Sequence, residues 1–312
     1  MRLTARGTTE YPLDRAAHVL LVAHLALIAF STAAMVTILA GEFPIWMQGP
    51  YTQSVYEFGW KYSGQVYIVL GMLAALMHSA PRWGWGTALA VFVVASGVAL
   101  LSELGGTNIG LPFGPYHYTP MLGYMIAGDV PYAIPISWYY MLYGSLAICA
   151  RIMVSDDSNA TRWRWAFVAG AFLTAWDVPM EVQMTNIQPA HWVWDLQKLP
   201  GWVPEWLGGP LFHGMPLTNW IGWYVTGVVI SRLMLAIVPP TKWAATVAPF
   251  ALPLVLYAAN GIMPIAVTAR HGYWLAVVGG ILAMGLPLYL GIRGRRKAAS
   301  TRLALGHPAS AP

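Results

Sequence analysis

Charged residues are scarce in this 312-residue chain, at 9% of the total, whereas soluble domains carry roughly 25%. Such a chain cannot present an ordinary wetted surface, so the soluble globular class is excluded. Cysteine is scarcer still: Cys149 stands alone, which rules out an intrachain disulfide framework and a multi-cysteine zinc site. Cys149 lies in an apolar segment and reads as a small core or lipid-facing residue. Also missing are the histidine clusters of di-iron hydroxylases and desaturases, the HExxH of zinc proteases, a Walker A loop and a GxGxxG after a strand. The short alternating segments that mark barrel strands are absent too. Basic residues are in excess, with a net charge of +5. They flank apolar segments instead of forming a patch, so nucleic acid is not an expected partner.

What the chain does have is apolar length. Hydrophobic residues make up 57% of it and its mean hydropathy is +0.55. Apolar stretches near the ~20 residues that cross a bilayer recur throughout. They fall at about 15–40, 61–80, 85–104, 131–153, 162–184, 216–238, 243–268 and 272–292. The predicted fold is therefore all-α, a polytopic integral membrane bundle of about eight transmembrane helices. Residues 15–292 form a single transmembrane domain, after an N-terminal segment (1–14) and before a basic, disordered tail (293–312). The 42–60 stretch, with Phe43, Pro44, Trp46, Tyr51 and Tyr56, reads as an interfacial loop or short amphipathic turn. The first apolar run is too long for the ~7–15-residue core of a signal peptide and is read as a membrane helix.

Alternating the loops between two sides leaves only Lys61, Lys198 and Arg270 of the 17 Lys and Arg on the side opposite the termini. The positive-inside rule then predicts both termini in the cytoplasm. The acids divide the other way. Glu10, Asp14, Asp156 and Asp157 fall on the basic side, and the remaining Asp and Glu toward the outer side. The two longest loops, about 105–130 and 185–215, are also outside. Loops of that length in a compact protein are usually functional or disordered, and their Trp, Tyr, Pro and Gly content argues for order.

Three outer-side acids, Glu103, Asp177 and Glu181, lie within or at the ends of apolar segments. Ionisable groups at membrane depth are costly and normally face a cavity or a partner. Asp177 and Glu181 are spaced i, i+4, which stacks them on one helix face, with Pro179 between them able to kink the helix or start a new turn. Close carboxylates tend to share a proton, and a protonated carboxyl is what a general acid needs. The plainer reading is a set of helix-end acids bonded to loop amides. The pair also has the spacing of one diphosphate-binding acidic motif, but no second copy and no nearby Lys or Arg. His24 and His78, alone in apolar helices, read as satisfied core groups before haem ligands.

Aromatics surround the acids. Gly110 to Tyr118 holds two prolines and further glycine, which dictate turns, and presents Phe113, Tyr116, His117 and Tyr118. The later outer loop carries Trp192 and Trp194 and leads to Asn219 and Trp223. Aromatic faces can stabilise a cation, although interfacial belts account for many membrane Trp and Tyr residues. Asn219 at a helix start could bond an acid or water, or a neighbouring helix.

Taken together, these stretches resemble the membrane-integral carotenoid hydratase family. The resemblance rests on Glu103-Leu104-Gly105, the run from Gly110 to Tyr118, and Leu122-Gly123. It continues through Pro131 to Trp138, Ala175-Trp176-Asp177, Trp192-Val193-Trp194 and Gly214 to Trp223. It covers about 100–238; where family members often show Asp-Pro, this chain has Glu181-Val182. The resemblance implies acid-catalysed addition of water to the terminal C1=C2 bond of an acyclic carotenoid end group, through a tertiary cation. No metal or cofactor is implied. Asp177 is the expected donor and Glu103 or Glu181 the water-handling acid, although exchanging roles among the three fits equally. Phe113, Tyr116, Tyr118, Trp138, Trp176, Trp192, Trp194 and Trp223 would line the substrate pocket, with His117 and Asn219 behind them. The expected partners are a carotenoid, water and the lipid bilayer of a prokaryotic cytoplasmic membrane, with the site toward the non-cytoplasmic side. An end-group cyclase or a carotenoid- or lipid-binding transporter are the alternatives.

Overall fold

The computed structural model describes residues 2–3, 9–11, 13–39, 41, 44–247 and 251–304. Its apolar runs form ten α-helices among these residues: α1 (Asp14–Val36), α2 (Pro50–Trp83), α3 (Trp85–Ile109), α4 (Ala133–Ile152), α5 (Asn159–Asn186), α6 (Glu205–Gly208), α7 (Leu217–Ile237), α8 (Pro240–Val247), α9 (Leu252–Arg270) and α10 (Trp274–Ala304). All but α6 fall on the eight apolar stretches of the sequence, α8 and α9 sharing one of them. Seven of those are long and apolar enough to cross a membrane. The remaining one, α5, has 28 residues, and two acids in its apolar half lower its hydropathy. It is enclosed by α4, α7, α9 and α10. The protein is a polytopic helical membrane protein.

Helix ends meet as an even number of crossings requires. At the basic end, Arg82 Nη1 of α2 lies 2.7 Å from Asp14 Oδ1 of α1. There too Arg151 Nε donates to Gly291 O at 2.9 Å, and Arg232 to Asn159 at 2.7 Å. At the opposite end, Arg270 Nε donates to Val36 O at 3.2 Å and Asn186 Nδ2 to His213 O at 3.0 Å. The centre is α4, with 83% of its apolar window buried against 17% for α1. His24 is a satisfied core group, its Nδ1 2.7 Å from Tyr67 O and its Nε2 3.3 Å from Asn260 Nδ2. His78 Nδ1 likewise lies 2.6 Å from the Tyr143 hydroxyl.

Three boundaries differ from the sequence reading. Most of the 42–60 stretch is not loop. A single 3-10 turn (Ile45–Met47) precedes α2, which starts at Pro50, where proline's fixed φ suits the first helical position. Tyr51, Val55 and Phe58 then make an exposed apolar stripe at helical spacing. The expected 243–268 span is divided into α8 and α9, with residues 248–250 outside the described set and Pro253 in the first turn of α9. The described part of α10 continues past Arg293 to Ala304, into the segment expected to be a disordered tail; residues 305–312 lie outside the described set.

Among the described residues, eight short strands pair as antiparallel ribbons: β1 (Arg2–Leu3) with β2 (Thr9–Glu10), β3 (Tyr116–Tyr118) with β6 (Trp192–Trp194), β4 (Met125–Ile126) with β5 (Val130–Pro131), and β7 (Pro210–Phe212) with β8 (Met215–Pro216). The β3–β6 ribbon joins the two long loops. Below it, α5 and α7 approach closely because small residues face each other: a Cβ on Gly227 would meet Gly170 Cα at 3.2 Å, and one on Gly170 would meet Val228 N at 3.0 Å. Small residues let membrane helices pack backbone to backbone, and this contact brings Asn219 of α7 to the acids of α5.

Candidate active site

Glu103 projects from the last turns of α3 and is 3% exposed. Its Oε2 accepts from the hydroxyls of Tyr116 and of Tyr118, the latter at 2.9 Å. Its Oε1 accepts from Trp138 Nε1 of α4 at 3.1 Å. Gly106, one turn on, makes the Tyr116 contact possible, since a Cβ there would lie 2.7 Å from the Tyr116 ring. Burial first, and Glu103 second, hold the Tyr116 and Tyr118 phenols well above their usual range, so both remain protonated donors.

Asp177 and Glu181 are 0% and 1% exposed. Helix α5 continues through Pro179, whose ring packs on Gly280 of α10. The two acids therefore keep the one-turn relationship read from their spacing. Asn219 Nδ2 joins them, at 2.9 Å from Asp177 Oδ2 and 3.4 Å from Glu181 Oε2. Trp194 Nε1 donates to Glu181 Oε1 at 2.6 Å. Asp177 Oδ1 is buried and, among the described residues, meets no donor at hydrogen-bond geometry, the Trp220 indole being its neighbour. The ion pairs among the described residues involve Asp14 and Asp195 and none of these three acids. Their partners are neutral donors: phenol, indole and amide.

Glu103 and Glu181 line one chamber with a volume of about 40 Å³. Its walls include Phe113, Tyr116, Tyr118, Trp138, Trp176, Trp192, Trp194, Asn219 and Trp223. Trp138 and Trp223 stack with centroids 4.5 Å apart, and Trp176 meets Trp223 edge-on at 5.9 Å. The β3–β6 ribbon supplies the outer wall. Its register pairs Tyr116 with Trp194 and Tyr118 with Trp192. Successive strand residues point to opposite faces, so these four rings face inward while His117 and Val193 face out.

Two expected residues are placed elsewhere. His117 sits on the outer face of the ribbon, its Nδ1 3.0 Å from Asp195 Oδ2, and does not support the chamber. Asp177 does not line it either; it lies behind Glu181, linked through Asn219. The sequence reading missed Tyr67 of α2 and Ser137 and Tyr140 of α4, which also line it. A tyrosine in an apolar helix looks like any of the 16 in the chain. The alternation across Tyr116, His117 and Tyr118, by contrast, was a readable signal that His117 points away.

The family model for carotenoid biosynthesis proteins matches residues 63–287. Bisanhydrobacterioruberin hydratase of Haloarcula japonica is similar to this chain, at 23% identity over 127 residues. That stretch covers 41% of this chain and 38% of the relative. No solved structure matches the chain.

Proposed function

From the premise that the chain belongs to the carotenoid biosynthesis protein family, we propose that it is a hydratase, adding water across the terminal C1=C2 bond of an acyclic carotenoid end group. The observation carrying this reading is that two carboxyl groups, Glu103 and Glu181, line one aromatic chamber and are held there only by neutral donors. The relative's name points to the same reaction class.

Glu181, in its protonated form, is the donor in this reading. It lines the chamber, whereas Asp177 touches it only through Asn219 and acts as a positioning residue. Transfer of the Glu181 proton to C2 leaves a tertiary cation at C1, the more substituted carbon. The faces of Trp138, Trp223 and Trp176 stabilise that cation, as aromatic quadrupoles do. Glu103 carries three donors, which suits an acceptor-only carboxylate. It orients the incoming water and takes its proton as the C1–O bond forms. Return of that proton to Glu181 closes the cycle, so the sum is alkene plus water to tertiary alcohol. The chain's own residues supply every step, and no cofactor is assigned. A 40 Å³ space holds water, which needs ~10–15 Å³ of such volume, but not an end group. Met180 and Met184 on its wall are flexible thioethers, and their rotation admits the alkene.

We further place the chain as a single transmembrane domain in a prokaryotic cytoplasmic membrane, with its basic end in the cytoplasm and the chamber toward the other side. The charge asymmetry supports this. The product test is expression in lycopene-producing bacteria, with γ-carotene and C50 precursors also supplied. The expected product is heavier by one water per end group. An isomer of unchanged mass would reveal a cyclase, and unchanged pigment from well-expressed protein a carrier.

A further inference from the structure

A second, larger cavity lies beside the chamber. It is a groove of about 460 Å³ lined largely by α1 and α2, with Met121, Leu122, Gln183, Met184 and Met263 also on its wall. That volume is within the range of ligand pockets, roughly 300–1,000 Å³, and more than ten times that of the acid chamber. Tyr67, Leu122 and Met184 line both spaces. The rim is open: Phe30 is 73% exposed, Trp46 63% and Tyr51 80%, all on elements that face lipid in a membrane-embedded bundle. His191, on the same wall, has its imidazole pushed down to about 4 by burial and adds no charge.

We propose that this groove binds the linear polyene body of the substrate, entered sideways from the bilayer, and that Tyr67, Leu122 and Met184 form the neck through which one end group reaches the acids. The inference rests on the hydratase reading and extends it. The chamber is too small for the polyene, so the bulk of the substrate must lie in contiguous space. The groove adjoins the chamber through three shared wall residues, has no Asp, Glu, Lys or Arg in its lining, and has an exposed rim toward the phase in which such a hydrocarbon dissolves. A polyene longer than the groove leaves its far end in lipid, so the neck selects for the shape of one end and tolerates differences in overall length.

Gly64 on α2 lines the groove, and a Cβ there would meet nothing within 4 Å. Gly64→Phe therefore attaches at a Cβ position that meets no neighbour, projects a ring into the groove and replaces a weak helix former. Ala34→Phe fills it from the α1 wall. Gly285→Phe on α10, where a Cβ also meets nothing within 4 Å, is the control away from the groove. Purified full-length protein in phosphatidylcholine nanodiscs is titrated with lycopene, reading polyene quenching of the tryptophans. Wild type and Gly285→Phe should give the same saturable quenching, and Gly64→Phe and Ala34→Phe at least tenfold weaker binding. Hydration of a ten-carbon acyclic alkene with the same end group should survive both groove substitutions. Unchanged lycopene affinity in both groove variants, or equal weakening in the Gly285→Phe control, overturns the proposal. Loss of quenching when only the proportion of saturated phosphatidylcholine is raised also overturns it and assigns the groove to lipid. Groove-dependent binding with no water added to any probe refutes the hydratase reading and leaves the groove standing.

Discussion

Buried acids occur at both ends of this bundle and are neutralised in opposite ways. At the basic end Asp14 is met by the Arg82 guanidinium, both 4% exposed or less at the side chain, with a second contact from Tyr11 N at 3.0 Å. At the other end Glu103, Asp177 and Glu181 have only hydroxyl, indole and amide donors. The Asp14 carboxylate, bonded to a guanidinium, serves to join α1 to α2. A carboxyl surrounded by neutral donors can gain or release a proton without breaking an ion pair. The choice of partner thus separates a structural acid from one suited to acid–base chemistry, although the residue types and burial are alike.

The sharpest way to break this comparison is to neutralise one acid at each end. Glu181→Gln should lower turnover by about 10²–10⁴-fold with an unchanged melting temperature in detergent. Asp14→Asn should leave turnover of the folded protein within about twofold, but cost about 3–5 kcal/mol by stranding Arg82. Turnover of Glu181→Gln near wild type would remove that residue from the chemistry. Joint replacement, Asp14→Leu with Arg82→Met, should recover most of the stability, since apolar substitution of a buried pair is often neutral. Denaturant titration of the three proteins measures this.

A smaller effect tests the neutral donors. Trp138→Phe retains a ring beside Trp223 but leaves Glu103 Oε1 without its donor. Losing such a bond costs about 1–3 kcal/mol, so the rate should fall by about 5–150-fold, with little change in lycopene binding. An equal loss in affinity and rate would assign Trp138 to binding alone.

The smallest effect belongs to His117. Burial pushes the Asp195 carboxyl up, but its bonds to Lys198 and His117 outweigh this and hold it below the usual carboxylate range. A depressed carboxyl contributes stability above its unfolded pKa that is lost as pH falls through the folded one. His117→Ala should therefore leave turnover unchanged and lower stability slightly at neutral pH. That difference should vanish in acid, as thermal melts at stepped pH would show. A rate loss above threefold would return His117 to the site.

Much of this was legible because membrane burial is written in long, contiguous runs. The outer acids were legible for the same reason: a carboxylate in an apolar run stands out. The extension of α2 back to Pro50 is at odds with reading the 42–60 stretch as an interfacial loop from its aromatics and proline, whereas Tyr51, Val55 and Phe58 have the spacing of a helix face. The roles of Asp177 and Glu181 were not separable, since i, i+4 spacing puts both on one face. The tertiary structure separates them: Glu181 lines the chamber and Asp177 does not, while Asn219 of α7 bonds both.

The sequence alone determined a polytopic helical bundle, its charge asymmetry, and a stock of acids and aromatics on one side. Those properties depend on local composition and on the cost of placing charge in lipid. Tertiary structure alone decided that Glu103 and Glu181 share a chamber, that the Tyr116–Tyr118 ribbon forms its outer wall, and that an apolar groove shares Tyr67, Leu122 and Met184 with that chamber. These follow from pairing β3 with β6, 78 residues apart at Tyr116 and Trp194, and from helix contacts between distant segments. Register and packing of that kind are set by shape complementarity across the fold, which no single stretch of chain carries.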